Sequence, residues 1–153
     1  MPVKCDIRNE EEVISAVESA VKTFGGIDIL INNASAINLS PISILPSKQF
    51  DLMQNINSRG VFLVSQKCIP HLKKSSNGHI LTLSPPLSLD KKWFSHFAPY
   101  TLSKFGMSML TLEPNVLVTV ACPLLSRSCS TRVTASTDSS SNSLTLTGIG
   151  AVE

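Results

Sequence analysis

ILTLSPPLSLDKKWFSHFAPYTLSKFGMSM, residues 80 to 109, is the stretch that decides how the chain is read. It opens with an apolar strand, passes at Ser84 into a loop, and ends in a helix carrying Tyr100 and Lys104. Residues four apart share a helix face, so the Lys104 ammonium sits beside the Tyr100 phenol. A free phenol keeps its proton until about pH 10. A cation a few ångströms away favours the phenolate and makes the group a general acid/base near neutrality. Ser84, ending the preceding strand, is placed to hydrogen-bond the same substrate oxygen. Tyr-x-x-x-Lys is common on amphipathic helices, so its meaning depends on the chain around it.

Upstream, Pro2 to Ile7 fits a short strand ending near Asp6. Asn9 is a good N-cap, and Glu10, Glu11 and Glu12 place negative charge in a first helical turn. Val13, Val17, Ala20, Val21 and Phe24 follow at helical spacing until Gly25-Gly26 stops the run. Ile27 to Ile31 is a mostly apolar segment, as expected of a parallel strand covered on both faces, and it leads into Asn32-Asn33-Ala34-Ser35. A long helix is predicted from about Ser47 to Lys74, with Gly60 near its middle and Pro70 kinking or ending it. Ser75-Ser76-Asn77-Gly78 is a turn, and His79 to Leu83 is the next strand.

Strands alternating with helices mean an α/β unit with a parallel sheet. Ligands of such sheets lie at the carboxyl ends of the strands. Asp6, Asn33 and Ser84 all fall at or just beyond such ends, so three polar groups converge on one rim.

Composition limits the alternatives. A chain of 153 residues with 42% apolar content supports one domain with a real core. A net charge of +2 without a basic cluster gives no reason to expect nucleic acid. No apolar run reaches the 18 or so residues of a membrane-spanning helix. Cys5, Cys68, Cys122 and Cys129 show no metal-ligand spacing with the histidines and read as buried free thiols of an intracellular protein. The N-terminus lacks the apolar core of a secretory signal.

Taken together, Cys5-Asp6-Ile7, Gly26-Ile27-Asp28 running into Asn32-Asn33-Ala34, Asn57-Ser58-Arg59-Gly60, Ser84 and Tyr100-Thr-Leu-Ser-Lys104 resemble the short-chain dehydrogenase/reductases over roughly Val3 to Leu112. The resemblance implies an NAD(P)-dependent oxidoreductase that moves a hydride between nicotinamide and a carbonyl or alcohol carbon. Tyr100 would handle the proton, and Lys104 would tune it and bind the nicotinamide ribose. Asn57 would hold a water linking Lys104 to solvent, Asp6 would bond the adenine, and Asn33 would line the cofactor groove. Read from the residues alone, Asn57 is a helix-surface amide and Asp6 a cap for the following helix. Ser84 lies sixteen residues before Tyr100 and Ser88 twelve before, so either could be the catalytic serine; Ser84 is preferred because it ends the strand.

NADP is the implied cofactor, with NAD also open. The implied substrate is a small apolar carbonyl or alcohol compound, with Trp93 and Phe94 as an apolar wall or simply packing. The alternative is a catalytically inactive fragment serving as an interaction module, its partner a second copy or a full-length homologue met through the long and catalytic helices at residues such as Phe62 and Met107. Peroxisome or mitochondrion is the implied location, although Ala151-Val152-Glu153 resembles no peroxisomal address.

Two parts of that pattern are missing. No glycine-rich turn follows an opening strand, so the expected fold is a partial Rossmann-like, doubly wound parallel sheet lacking its first two strands. The strand at Ile27 to Ile31 would then expose an apolar edge, and each buried unsatisfied backbone group costs about 1–3 kcal/mol. Downstream, Glu113-Pro114-Asn115 interrupts the catalytic helix, and Val116 to Val120 resembles another strand. From Ser126 to Thr147, 13 of 22 residues are Ser or Thr. The expected division is a partial domain over residues 1–123 and a disordered, Ser/Thr-rich tail over 124–153.

Overall fold

The computed structural model describes residues 1–85, 91, 94–110, 116–121 and 143–146. Its first helix, α1, spans Glu10–Phe24. Asn9 is extended and its Oδ1 accepts from the backbone N–H of Glu11 at 3.0 Å and Glu12 at 3.4 Å. At the other end Gly25 adopts φ +83°, a left-handed conformation that glycine takes without a side-chain penalty. Val13, Ala16, Val17 and Ala20 form the buried stripe.

The long helix runs as predicted but is not uniform. It is built from α2 (Ser47–Met53), a π-helical segment (Gln54–Gly60) and α3 (Val61–Leu72). Pro70 lies in the last turn of α3, where it cannot donate to the Gln66 carbonyl one turn back, and the helix ends two residues later.

Among the described residues four strands, all parallel, make one sheet in the order β3-β2-β1-β4. They are β1 (Ile29–Asn32), β2 (His79–Leu83), β3 (Leu117–Ala121) and β4 (Ser143–Leu146). Leu30 and Ile80 join Val13 and Val17 of α1 and Val64, Cys68 and Leu72 of α3 in the core. Burial alternates along β1 and β2, one face being fully buried and the other half-buried. Leu30, Asn32, Ile80 and Thr82 are buried, whereas Ile29, Ile31, Leu81 and Leu83 are only half-buried. The helices α1 and α3 cover one face, which is all that alternation requires.

Residues 1–6 form no strand, which corrects the reading of Pro2 to Ile7. A strand is held by its ladder, and among the described residues no strand pairs with this segment. Ile7 packs instead against the core cluster and over Gly60, where an added Cβ would fall 2.6 Å from the Ile7 Cδ1. Cys5 is half-buried and Cys68 fully buried; burial pushes the Cys68 thiol up to about 12, leaving it an unreactive apolar filler.

Within the tail, the four residues Ser143–Leu146 form β4. Ser143–Leu146 alternates polar and apolar residues with a β-branched threonine, a pattern that suits a strand once an unpaired edge is available. The rest of the tail, Ser88, Trp93, Glu113-Pro114-Asn115, Cys122 and Cys129 lie outside the described residues.

His79 begins β2 and its Nε2 lies 3.0 Å from the Thr119 Oγ1 of β3. Burial holds its pKa below the ordinary histidine value. The unfolded chain therefore takes up this proton more readily than the folded one, and stability present above about pH 6.5 is lost as pH falls toward the lower folded value. Denaturant midpoints at pH 7.5 and 5.5 should differ in that direction. His79→Gln, which keeps a hydrogen-bonding side chain, should flatten the difference.

Candidate active site

The sheet changes direction of progress at β1, with β2 on one side and β4 on the other, and that switch marks the crevice at the carboxyl ends. On this rim the core face of the sheet turns polar. The Asn32 Nδ2, buried at the end of β1, donates to the Ser65 Oγ at 3.2 Å and the Thr82 Oγ1 at 3.3 Å, linking β1, α3 and β2. Asn33 follows, half-buried.

Helix α4, Ala98–Met109, carries Tyr100 and Lys104 one turn apart, and Lys104 reaches the rim at the end of β2. Pro99 in its first turn is tolerated because those N–H groups have no intrahelical acceptor. Tyr100 is half-buried and Lys104 is only 5% exposed. The Lys104 Nζ donates to the Leu83 carbonyl at 3.1 Å and approaches the Met107 Sδ at 3.5 Å. Lysine is rarely buried without partners, so this side chain is not the solvated surface lysine that a lone Tyr-x-x-x-Lys would suggest.

Ser84 ends β2 as expected but is fully buried, and its hydroxyl turns into α4. It donates to the Lys104 carbonyl at 2.7 Å and accepts from the Ser108 Oγ at 2.8 Å. Ser108 also reaches the Pro85 carbonyl at 2.9 Å. These bonds fix the strand end to the helix, with Ser84's single proton committed to that tie.

Asn57 sits inside the π-helical segment and is completely buried, not a surface amide. Its Oδ1 accepts from the Ala36 N–H at 2.7 Å while its Nδ2 donates to the Ala36 carbonyl at 2.8 Å and the Ser103 Oγ at 2.8 Å. The Ser103 hydroxyl in turn donates to the Tyr100 carbonyl at 2.8 Å. One amide thus ties the loop after β1 to the turn of α4 that carries the tyrosine. Next to it, the Ser58 Oγ donates to the Ser103 carbonyl at 3.1 Å. Gly106 permits this crossing, since a Cβ there would fall 2.6 Å from the Ser58 Oγ. π-helical turns recur at functional sites because they re-aim successive side chains, and here Asn57 meets the loop while Ser58 meets α4. Sequence reasoning passed over Ser103; its only trace is a small polar residue inside Tyr-x-x-Ser-Lys.

Asp6 is not a helix cap, a role Asn9 fills. Its carboxylate pairs with Arg8 at 2.6 Å, both side chains being well exposed, and the Arg8 guanidinium's hydrogen bonds hold its pKa below the usual carboxylate range. The Arg59 Nη1 donates to the Arg8 carbonyl at 2.6 Å, tethering this segment to the π-helical turn.

Phe94 stands apart from the tyrosine. It packs edge-on against Phe105, ring centres 5.8 Å apart at 87°, and both line an apolar groove of about 530 Å³ with Ile42, Leu45, Phe50 and Leu102. At 3.6 residues per turn, Leu102 and Phe105 lie roughly 140–160° around α4 from Tyr100. Among the described residues, no group of three or more His, Cys, Asp or Glu is placed to hold a metal, and no helix is long and apolar enough to cross a membrane.

The sequence matches the family model described as short chain dehydrogenase over residues 1–121. It is 55% identical over 112 residues to hydroxysteroid dehydrogenase-like protein 2 of Bos taurus, and 53% identical over 112 residues to the protein of that name from Homo sapiens. Each alignment covers 73% of this chain but only 27% of the relative's length. Among solved structures, a short chain dehydrogenase from Mycobacterium thermoresistibile is 51% identical with a TM-score of 0.70, over 72% of this chain and 39% of that one. An NAD+-bound xylitol dehydrogenase is 30% identical with a TM-score of 0.60, over 70% of this chain and 41% of the other. The family match takes in β1, β2, β3 and both helices that build the rim, and the chain belongs to the short chain dehydrogenase family.

Proposed function

We propose that this chain carries the proton-handling part of an NAD(P)-dependent oxidoreductase acting on small apolar carbonyl or alcohol compounds. The observation that carries the reading is Lys104, buried one helical turn after Tyr100 at the carboxyl end of β2. A buried ammonium beside a phenol favours the phenolate, and that is the condition for a tyrosine to exchange protons near neutral pH. In carbonyl reduction Tyr100 gives its phenolic proton to the substrate oxygen; in alcohol oxidation it takes that proton back. Asn57 holds the helix turn in place, and its Oδ1, with one lone pair given to Ala36, has a second for a water on the proton's route to solvent.

A nicotinamide dinucleotide, when bound, would supply or accept the hydride. Its ribose end fits the residues present, with Lys104 and Asn33 at the rim and Asp6 further along the adenine side. Its pyrophosphate end is less well served. Gly25, Gly26, Gly60, Gly78 and Gly106 are the glycines among the described residues, and none follows the carboxyl end of a strand. NADP is the preferred form by family likeness, with NAD the alternative, and peroxisomes or mitochondria are the proposed setting. A fluorescence titration of the purified chain with NADPH and NADH is the test. Saturable binding at or below about 1 mM is expected, the range in which substrates of enzymes commonly bind; no binding of either would refute the reading.

The apolar groove favours a second role beside the first, contact with a second copy or a full-length homologue. Leu102 is 57% exposed and Met109 63% exposed on this side of α4, and Phe62 is 44% exposed. Met107, expected to face a partner, is fully buried against Lys104 and is corrected to a core residue. Light scattering should show an oligomer, or capture of the homologue, that Leu102→Asp abolishes. A monomer that captures neither would end this second role.

A further inference from the structure

β1 is the strand whose backbone most needs two partners. Leu30 at its centre is fully buried, and backbone N–H and C=O groups at that depth are rarely left unpaired. On one side the partner is β2. On the other it is β4, matched residue for residue: Ile29 with Ser143, Leu30 with Leu144, Ile31 with Thr145 and Asn32 with Leu146.

The connection is physically easy. The chain steps from β1 to β2 to β3 toward one edge, then crosses back to the other. Residues 122–142 supply 21 residues for this, enough to reach about 70 Å when extended, whereas three ladder spacings need only about 14 Å. The composition also selects this segment. Leu144 and Leu146 are the only leucines between Ser126 and Thr147, and they alternate with Ser143 and Thr145 at the period of a strand.

We infer that Ser143–Leu146 is the segment on which the order of β1 depends: it closes the edge of β1 opposite β2, and β1 keeps its order only while this segment is docked. As an edge strand it has, like β3, a single ladder partner, which leaves it open to displacement.

Two measurements on the full chain and one truncation decide the matter. With Ile31→Cys and Thr145→Cys introduced together, a short bifunctional thiol reagent should join residues 31 and 145, as read by mass spectrometry of the digest. In hydrogen exchange, the amides of Ile29–Asn32 should be slow in the full chain. A chain ending at Asn142 should lose that protection at least tenfold, whether by local opening or by general unfolding. Failure of the 31–145 cross-link overturns the inference however the truncated chain behaves. So does a cross-link that forms while truncation leaves exchange of Ile29–Asn32 unchanged.

Discussion

Replacing Tyr100 with phenylalanine is expected to lower kcat/KM for carbonyl reduction by roughly 10²–10⁴-fold, the share of rate that a positioned acid/base group supplies. The substitution removes one oxygen from a half-buried ring and leaves its apolar contacts in place. Cofactor affinity should therefore stay within about twofold, because in the proposed mechanism the lost hydroxyl serves the reacting oxygen and its proton. Lys104→Met makes the complementary case. Without the ammonium the phenolate loses its electrostatic support, so the pH at which oxidation becomes efficient should move upward. Steady-state kinetics across pH for both variants, beside a cofactor titration, separates the two roles. Unchanged turnover in Tyr100→Phe would remove the tyrosine from the mechanism.

The second large effect is expected from Asn57→Leu. Leucine has nearly the same shape but makes none of the three hydrogen bonds, leaving the Ala36 N–H and carbonyl without this partner while Ser103 keeps its bond to the Tyr100 carbonyl. At about 1–3 kcal/mol for each of these two groups, the loss should be roughly 2–6 kcal/mol. Against a typical total of about 5–15 kcal/mol, that is a large share of the fold's stability. Urea denaturation should show a midpoint far below that of the parent chain. A loss of less than about 1 kcal/mol would mean that water or loop movement takes over these bonds. Since the same amide anchors the turn carrying Tyr100, any folded variant should also turn over slowly.

Much of the scaffold could be read locally. Asn9 followed by three glutamates marked the start of α1, and Gly25 its end, because capping is a property of adjacent residues. His79–Leu83 emerged with the limits read from its apolar run and flanking turn. The Tyr100 and Lys104 pairing is equally local, since four residues make about one helical turn.

Where the reading departed from the structure, the deciding partner lay far away in sequence. Pro2 to Ile7 has a strand's composition but forms none, since strand order depends on a neighbour's hydrogen bonds. Ser143–Leu146 sits in a tail with the composition of disorder, yet the free edge of β1 gives it a ladder. Asn57 could pass for a surface amide, and only the approach of Ala36, 21 residues away, and Ser103, 46 residues away, reveals it as a buried clamp. Ser84 was found at the strand end it was expected to mark, but the direction of its hydroxyl was set by α4 lying across it.

The order of residues was thus enough to specify the helices, two central strands and the one-turn spacing of phenol and amine, because each depends on dihedral preference and periodicity within a few residues. Tertiary structure alone decided which strands exist, which polar side chains are spent as braces, and that Lys104 is buried. Those outcomes depend on hydrogen bonds and desolvation between segments that meet only when the chain is folded.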